Sequence, residues 1–308
     1  MSILSKPFFH NEKAAYEWVE ARVWPEGPAC PRCGEKKRIG ELKGNSTRIG
    51  VRKCYTCRKP FTVKVGTLME SSHIPMTKWL QAIYLMCSSK KGISSHQLSR
   101  TLGVTVKSAW FLSHRIREAM RTGDLAPFGG GGGIVEVDET YVGGKTSNAR
   151  GKYKKKAVVL TLVDRDTGRA RSFHIERATK AEILPILRDN LDAEARVITD
   201  EYSVYKNLDT EYAHAYVVHS KKQWGRGEIH TNTIEGFYSI MKRGLRGVYQ
   251  HCSKKHLHRY AGEFDFRYSN RAKLGIDDME RTEAAVAGLV GKRLTYHQAD
   301  ENRVASRH

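Results

Sequence analysis

Three acidic residues, Asp138, Asp200 and Glu235, stand where a folded chain would present a carboxylate at the end of a packed element. Asp138 follows the apolar run Ile134-Val135-Glu136-Val137, and Asp200 follows Val197-Ile198-Thr199. Glu235 lies in TNTIEGFYSIMKRGL, a helical pattern that carries Lys242 two turns further along the same face. Carboxylates brought together out of water repel one another unless cations neutralise them, so the trio suggests a metal site. Hard oxygen ligands with open positions suit Mg²⁺ or Mn²⁺, and two such ions can activate water and stabilise a leaving 3′ oxygen at a phosphodiester. Taken singly, each acid would more often be a solvated surface carboxylate or a helix cap. Their shared position at the ends of apolar elements sets them apart.

A second set of residues has metal-ligand spacing. Cys30-Pro-Arg-Cys33 and Cys54-Tyr-Thr-Cys57 form two CxxC pairs, the pattern of a four-thiolate site for one structural Zn²⁺. A redox dithiol needs only one such pair. Cys87 and Cys252 stand alone and read as small buried hydrophobes.

Composition narrows the partners. The 308 residues hold 53 Lys plus Arg against 33 acids, a net charge of +20, with a pI near 9.7. Such an excess favours polyanions, because each neutralised phosphate releases condensed counterions. No apolar run is long enough to span a bilayer, and MSILSKPFFHNEKAAYEW has no signal-peptide core, so a cytoplasmic, nucleoid-associated protein without a membrane partner is expected.

The elements that must position these residues fall in order along the chain. An amphipathic stretch from Glu12 to Val23 precedes the ribbon, and together they make a first domain over 1–70. Within it, Gly44-Asn45 marks a hairpin turn and Phe61-Thr62-Val63 continues as a strand. Residues 71–128 show helical patterns at Met76–Ser88, Ser94–Leu102 and Lys107–Met120, the last two joined through Gly103 as in a helix-turn-helix. Its second helix would offer Lys107, Ser108, His114 and Arg115 to DNA; the alternative is a packing module that reads no bases. Five glycines, 129–133, then read as a flexible linker. From 134 to 290 the order is three strands, helix, strand, helical segment, strand, helix. That is the arrangement of a ribonuclease H-like α/β domain, with 291–308 as a tail. In such a sheet the first and fourth strands are parallel neighbours, which would bring Asp138 beside Asp200.

The chain resembles the ISXO-like DDE transposases of bacterial insertion sequences, which carry an N-terminal zinc ribbon. The matching stretches are CPRCG and CYTCRKPFTVKVGT, VEVDETYVGGK, VITDEYSVYKNL, HTNTIEGFYSIMKRGLRGVYQH and SKKHLHRYAGEFDFRYSNR. The resemblance implies metal-dependent nicking at element ends and strand transfer, with Asp138, Asp200 and Glu235 holding two Mg²⁺ or Mn²⁺ and Lys242 as the accompanying basic residue. Relatives vary at the third position, which leaves Asn232 as a contender; the interval after Asp200 and the charge that divalent ions need favour Glu235. Glu139 would point to the opposite face of its strand, whereas Glu136 shares a face with Asp138 and competes as a ligand.

Basic clusters near the acids suit DNA: Lys154, Lys155 and Lys156 after VGGKTSN, and Lys221, Lys222, Trp224 and Arg226 before the last catalytic helix. Trp224 would either stack on an unpaired base or pack in a loop. The expected function is a transposase that binds terminal inverted repeats of double-stranded DNA, acting at least as a dimer to synapse two ends. A nuclease of the same fold that does not join, or a DNA-binding regulator, are the competing readings.

Overall fold

The computed structural model describes residues 2–44, 46–121, 126–143, 156–221 and 225–295. They fall into two compact units, one drawn from Met1–Ser89, Ile93–Met120 and Asp278–His308, the other from Lys90–Gly92 and Arg121–Asp277.

In the first unit, helix α1 (Glu12–Val23) starts where the Asn11 side chain accepts a 2.9 Å hydrogen bond from the Ala14 amide, and it buries Ala15 and Val19 one turn apart. A three-stranded antiparallel ribbon follows, β1 (Ile39–Glu41), β2 (Arg52–Cys54) and β3 (Pro60–Phe61), in that spatial order. The last strand is shorter than Phe61–Val63, and Asn45 of the anticipated turn lies outside the described residues. Helices α2 (Met76–Ser88), α3 (Ser95–Leu102) and α4 (Val106–Met120) match the sequence pattern to within a residue. Ser94 caps α3, and Gly103 ends it at φ 61°, a left-handed conformation that glycine adopts without strain.

Two expected boundaries differ. The ribbon domain and the helices do not separate at residue 70: Glu12 of α1 accepts the first amides of α2, from Met76 at 2.7 Å and Thr77 at 3.1 Å. A carboxylate bound to a helix N-terminus joins the two segments. Residues 278–290, expected in the catalytic domain, form α8 (Asp278–Ala287) and belong to the first unit, packed on α1, α2 and α4. Its apolar stripe of Thr282, Ala285 and Val286 is buried there, and Leu289 accepts from the Leu68 amide at 3.0 Å. A short amphipathic helix carries no label of which distant surface it will cover.

The second unit is a five-stranded mixed sheet. Its strands are β4 (Ile134–Val142), β5 (Ala157–Asp164), β6 (Ala170–Ile175), β7 (Arg196–Thr199) and β8 (Ala213–Tyr216), in the spatial order β6-β5-β4-β7-β8. β5 runs antiparallel to both β4 and β6, while β7 lies parallel to β4 and β8 parallel to β7. Helix α5 (Lys180–Asn190) covers one face with Ile183 and Leu187. A two-strand ribbon of β9 (Gly225–Arg226) and β10 (Ile229–His230) leads into α6 (Asn232–Gly244), a π-helical turn (Leu245–Tyr249) and α7 (Lys254–Ser269), which cover the other. β5 is buried along its whole length, as a strand packed on both faces must be.

The five glycines are not a linker. Phe128 bridges to Leu191, the Gly129 amide donates to Asp164 Oδ2, and the Gly133 amide donates to the Gly129 carbonyl. A Cβ at Gly129 would lie 2.5 Å from that of Ala195, so glycine is needed for close approach as well as for φ 79°.

Candidate metal and nucleic-acid sites

Strand register sets two of the acids side by side. β4 and β7 pair in parallel from Ile134↔Arg196 to Glu136↔Ile198, and the same offset sets Asp138 beside Asp200, one residue past the end of β7. Asp138 Oδ1 accepts its neighbour's amide, from Glu139, at 2.8 Å, and Asp200 Oδ1 accepts the Tyr202 amide at 2.9 Å. Burial, followed by the charges of Asp200, Glu139 and Glu235, pushes the Asp138 carboxyl up to about 8. Burial also raises Asp200, with Glu201 adding to it while the Tyr202 amide and His219 oppose it.

α6 brings Glu235 to this neighbourhood. Its Oε1 accepts the Thr231 hydroxyl at 3.1 Å and lies 3.7 Å from His219 Nε2. Three residues on, Tyr238 donates to the Asp138 carbonyl at 2.5 Å, and one further turn on, the Lys242 ammonium lies 5.7 Å from the Tyr238 ring. Asn232 is exposed in the first turn of the same helix.

The donor set fits hard divalent ions. A carboxyl that burial and three neighbouring acids keep protonated near neutral pH is one that a cation would ionise, and oxygen donors suit Mg²⁺ or Mn²⁺. The three acids are not drawn round a single point: among the described residues, the four cysteines are the group of ligand atoms that all lie within 4.8 Å of one another. A pair of ions about 3.5–4 Å apart needs ligands spread more widely than one ion does.

The cysteines are arranged for a tetrahedral ion. Cys30 Sγ lies 3.7 Å from Cys57 Sγ, and Cys33 Sγ lies 3.6 Å from Cys54 Sγ. Four sulfurs at Zn–S distances of about 2.3 Å are separated by about 3.8 Å. Burial opposes a thiolate at Cys30, yet hydrogen bonds from the Arg32 and Cys33 backbone and from neighbouring thiols bring it down to about 7. Glu35 orders the first knuckle: its carboxylate accepts the amides of Lys36, Lys37 and Arg38 and the Thr56 hydroxyl, which hold it down at about 2.

The residues assigned to DNA divide. Lys107, Lys156, Lys221 and Arg226 are exposed and Ser108 is half-buried, bonded to Thr105 at the start of α4. Lys154, Lys155, Lys222 and Trp224 lie outside the described residues. His114 and Arg115 do not face outward: His114 is 1% exposed against Trp110, and Arg115 stacks over Phe111 with its Nε donating to the Leu294 carbonyl. Their places on the anticipated recognition helix are on the packed side, where the segment after α8 reaches Arg115.

Glu136 is no competing ligand. It is fully buried, paired to Arg165 at 2.6 Å, and accepts the Ile234 amide at 2.8 Å. Glu139 accepts the buried Tyr205 hydroxyl at 2.8 Å. Sequence reasoning missed Tyr238 and His219. Tyr238 had a signal, its place between Glu235 and Lys242 on one helical face; His219 opens a short 3₁₀ turn (His219–Lys221) and had none.

Two family models match. Residues 10–60 match the transposase zinc-ribbon domain, and residues 131–269 match the ISXO2-like transposase domain. A Halobacterium salinarum relative, named as an uncharacterized protein in transposable element ISH50, is 30% identical over 284 residues, covering 85% of this chain and 92% of its own. The chain belongs to the ISXO2-like transposase family. This family member is also 28% identical over 97 residues to a transposase-like protein of Haemophilus influenzae, covering 31% of this chain and 77% of the relative. Among solved structures it is similar to a chain of a simian T-cell lymphotropic virus intasome in complex with a PP2A regulatory subunit. There the identity is 16% and the TM-score 0.29, with 59% of this chain and 64% of that one covered, a likeness too slight to bear on the fold. The two matched domains of the ISXO2-like chain enclose the four cysteines and the three acids, respectively.

Proposed function

We propose that this protein is a DDE transposase that binds the terminal repeats of its element, nicks them and joins the freed strand to target DNA. The observation that carries this reading is the parallel register of β4 and β7, which sets Asp138 beside Asp200, together with the charge that Glu235 exerts on Asp138 from α6. The strand order β6-β5-β4-β7-β8 supports a ribonuclease H-like domain, and α3–Gly103–α4 supports a helix-turn-helix. The transposable-element setting of the Halobacterium relative favours transposition over plain nuclease activity.

Asp138, Asp200 and Glu235 would hold two Mg²⁺ or Mn²⁺, with Asn232 the alternative third residue; when bound, the ions would supply an activated water and neutralise the leaving oxygen. Water attacks the end phosphodiester, a new P–O bond forms, and the bond to the 3′ oxygen breaks to leave a 3′ hydroxyl. That hydroxyl then attacks a target phosphodiester in the same sense, expelling the next 3′ oxygen. Lys242, steadied over the Tyr238 ring, would touch a neighbouring phosphate. Lys107, Ser108, Lys156, Lys221 and Arg226 would meet duplex backbone. Synapsis of two ends requires at least two copies.

Labelled element ends incubated with the protein and Mg²⁺ test this. Nicks and joined strands are expected. Nicks alone would make it a nuclease, and binding without nicks a regulator.

A further inference from the structure

We propose that Glu136 is a positioning residue, which holds the start of α6, and with it Glu235, at a set height against Asp138. This rests on the reading of the acids as a cation site.

Glu136 and Asp138 alternate onto the same face of β4, the face that α6 covers. Glu136 is fully buried, and its two oxygens divide their partners. Oε2 accepts the Ile234 amide at 2.8 Å. That amide is in the first helical turn, where no carbonyl of the helix itself is available. Oε1 accepts Arg165 Nε at 2.6 Å and lies 3.5 Å from His230 Nδ1.

Arg165 extends the tether. It comes from the turn between β5 and β6, where its amide donates to the Ile134 carbonyl at 2.9 Å. Its guanidinium reaches the Glu228 carbonyl at 2.6 Å, the His230 carbonyl at 2.6 Å and His230 Nδ1 at 2.8 Å. The β9–β10 ribbon that feeds α6 is thereby bound to the same carboxylate that binds the helix.

Both ends of this tether adjoin the acids. Glu136 lies two residues before Asp138, and Ile234 immediately precedes Glu235. A change in the length or charge of the Glu136 side chain therefore moves one acid relative to the other without touching either. A hydrated surface carboxylate could not do this; the burial and the fixed Arg165 fork leave Glu136 one geometry.

The test uses the full chain loaded with zinc but no DNA. Mn²⁺ binding is read by electron paramagnetic resonance, and exchange of the Ile234 amide by NMR. Glu136→Gln is expected to weaken Mn²⁺ binding about tenfold or more and to speed exchange at Ile234 about tenfold. Mn²⁺ affinity or Ile234 exchange unchanged from the parent overturns the proposal. If Glu136→Gln fails to fold, Arg165→Lys, which keeps a cation beside Glu136 but drops the fork to Glu228 and His230, is read against the same two criteria. Asp138→Ala separates the levels: Mn²⁺ binding retained there sinks the cation-site reading itself, whereas binding lost there and unchanged in Glu136→Gln sinks only the positioning role.

Discussion

The Tyr238 hydroxyl donates to the carbonyl oxygen of Asp138 at 2.5 Å, so the middle of α6 is bonded to the backbone of β4 at Asp138 itself. The same hydroxyl lies 3.4 Å from the Val159 carbonyl, and its ring carries the Lys242 ammonium on the side toward the next turn. One phenol thus relates an acid on a strand to a cation on its own helix.

Tyr238→Phe removes this bond and leaves a buried carbonyl short of a donor, at a cost of about 1–2 kcal/mol. In a chain of this size that lowers the melting temperature by roughly 1.5–3 °C. End cleavage is expected to fall as well, since Lys242 loses the polar anchor of its platform. Unchanged melting and unchanged cleavage in this variant would remove Tyr238 from the account.

Asp138 gives the stability of the metal-free protein a pH dependence of definite sign. Its folded-state carboxyl is raised to about 8, above the ordinary carboxylate range, so between pH 4 and about 8 the native state binds more protons than the unfolded chain. Stability therefore falls as pH rises through that window. Asp265, buried against Ser172 and raised to about 7, adds a slope of the same sign. Thermal melts in chelator should show the decline, Asp138→Asn should flatten part of it, and Mn²⁺ should restore more at pH 8 than at pH 5. A melting temperature that climbs from pH 5 to 8 without metal would contradict the buried placement of Asp138.

Asp138→Ala should abolish Mg²⁺-dependent nicking of element ends, by a factor of about 10³ or more, if this carboxylate helps to hold the cations as proposed. Duplex binding should survive. Cleavage that persists in this variant would mean that the reactive centre lies elsewhere.

Elemental analysis should find about one tightly held zinc per chain, lost in Cys30→Ser. Chelation should loosen Trp24 and Ile39, which pack on Cys30, Cys54 and Phe61, and the change in tryptophan fluorescence would report it. A metal-free protein with an unaltered ribbon would refute a structural role for the ion.

On α4, position decides function. Lys107→Ala should weaken DNA binding and lower the salt slope by about one, the signature of a lost phosphate contact. Arg115→Ala should instead cost roughly 1–3 kcal/mol of stability through lost packing on Phe111 and change DNA affinity little. The opposite pattern, measured by fluorescence anisotropy across a salt series, would restore Arg115 to the DNA-facing side.

Much was legible in the residues alone. The two CxxC pairs are local signals, each a knuckle whose geometry a few residues dictate, so the ribbon followed from spacing. Helices α2, α3 and α4 and the strands β5, β6 and β7 were legible because apolar periodicity is a property of neighbours in sequence. What depended on distant partners was not. The glycines at 129–133 read as a flexible run, yet Gly129 is held against Ala195 and Asp164, and the Gly133 amide closes the turn on the Gly129 carbonyl. α8 read as part of the catalytic domain until its stripe found α1, α2 and α4. His114 and Arg115 carried the chemistry of DNA contacts, but their side of α4 was taken by packing. Glu136 and Asp138 share one strand face and one functional group, and sequence cannot tell which of them is a tether. Only the tertiary structure supplies Arg165 and the Ile234 amide to the first and a ring of like charges to the second, because a carboxylate's role is set by what surrounds it.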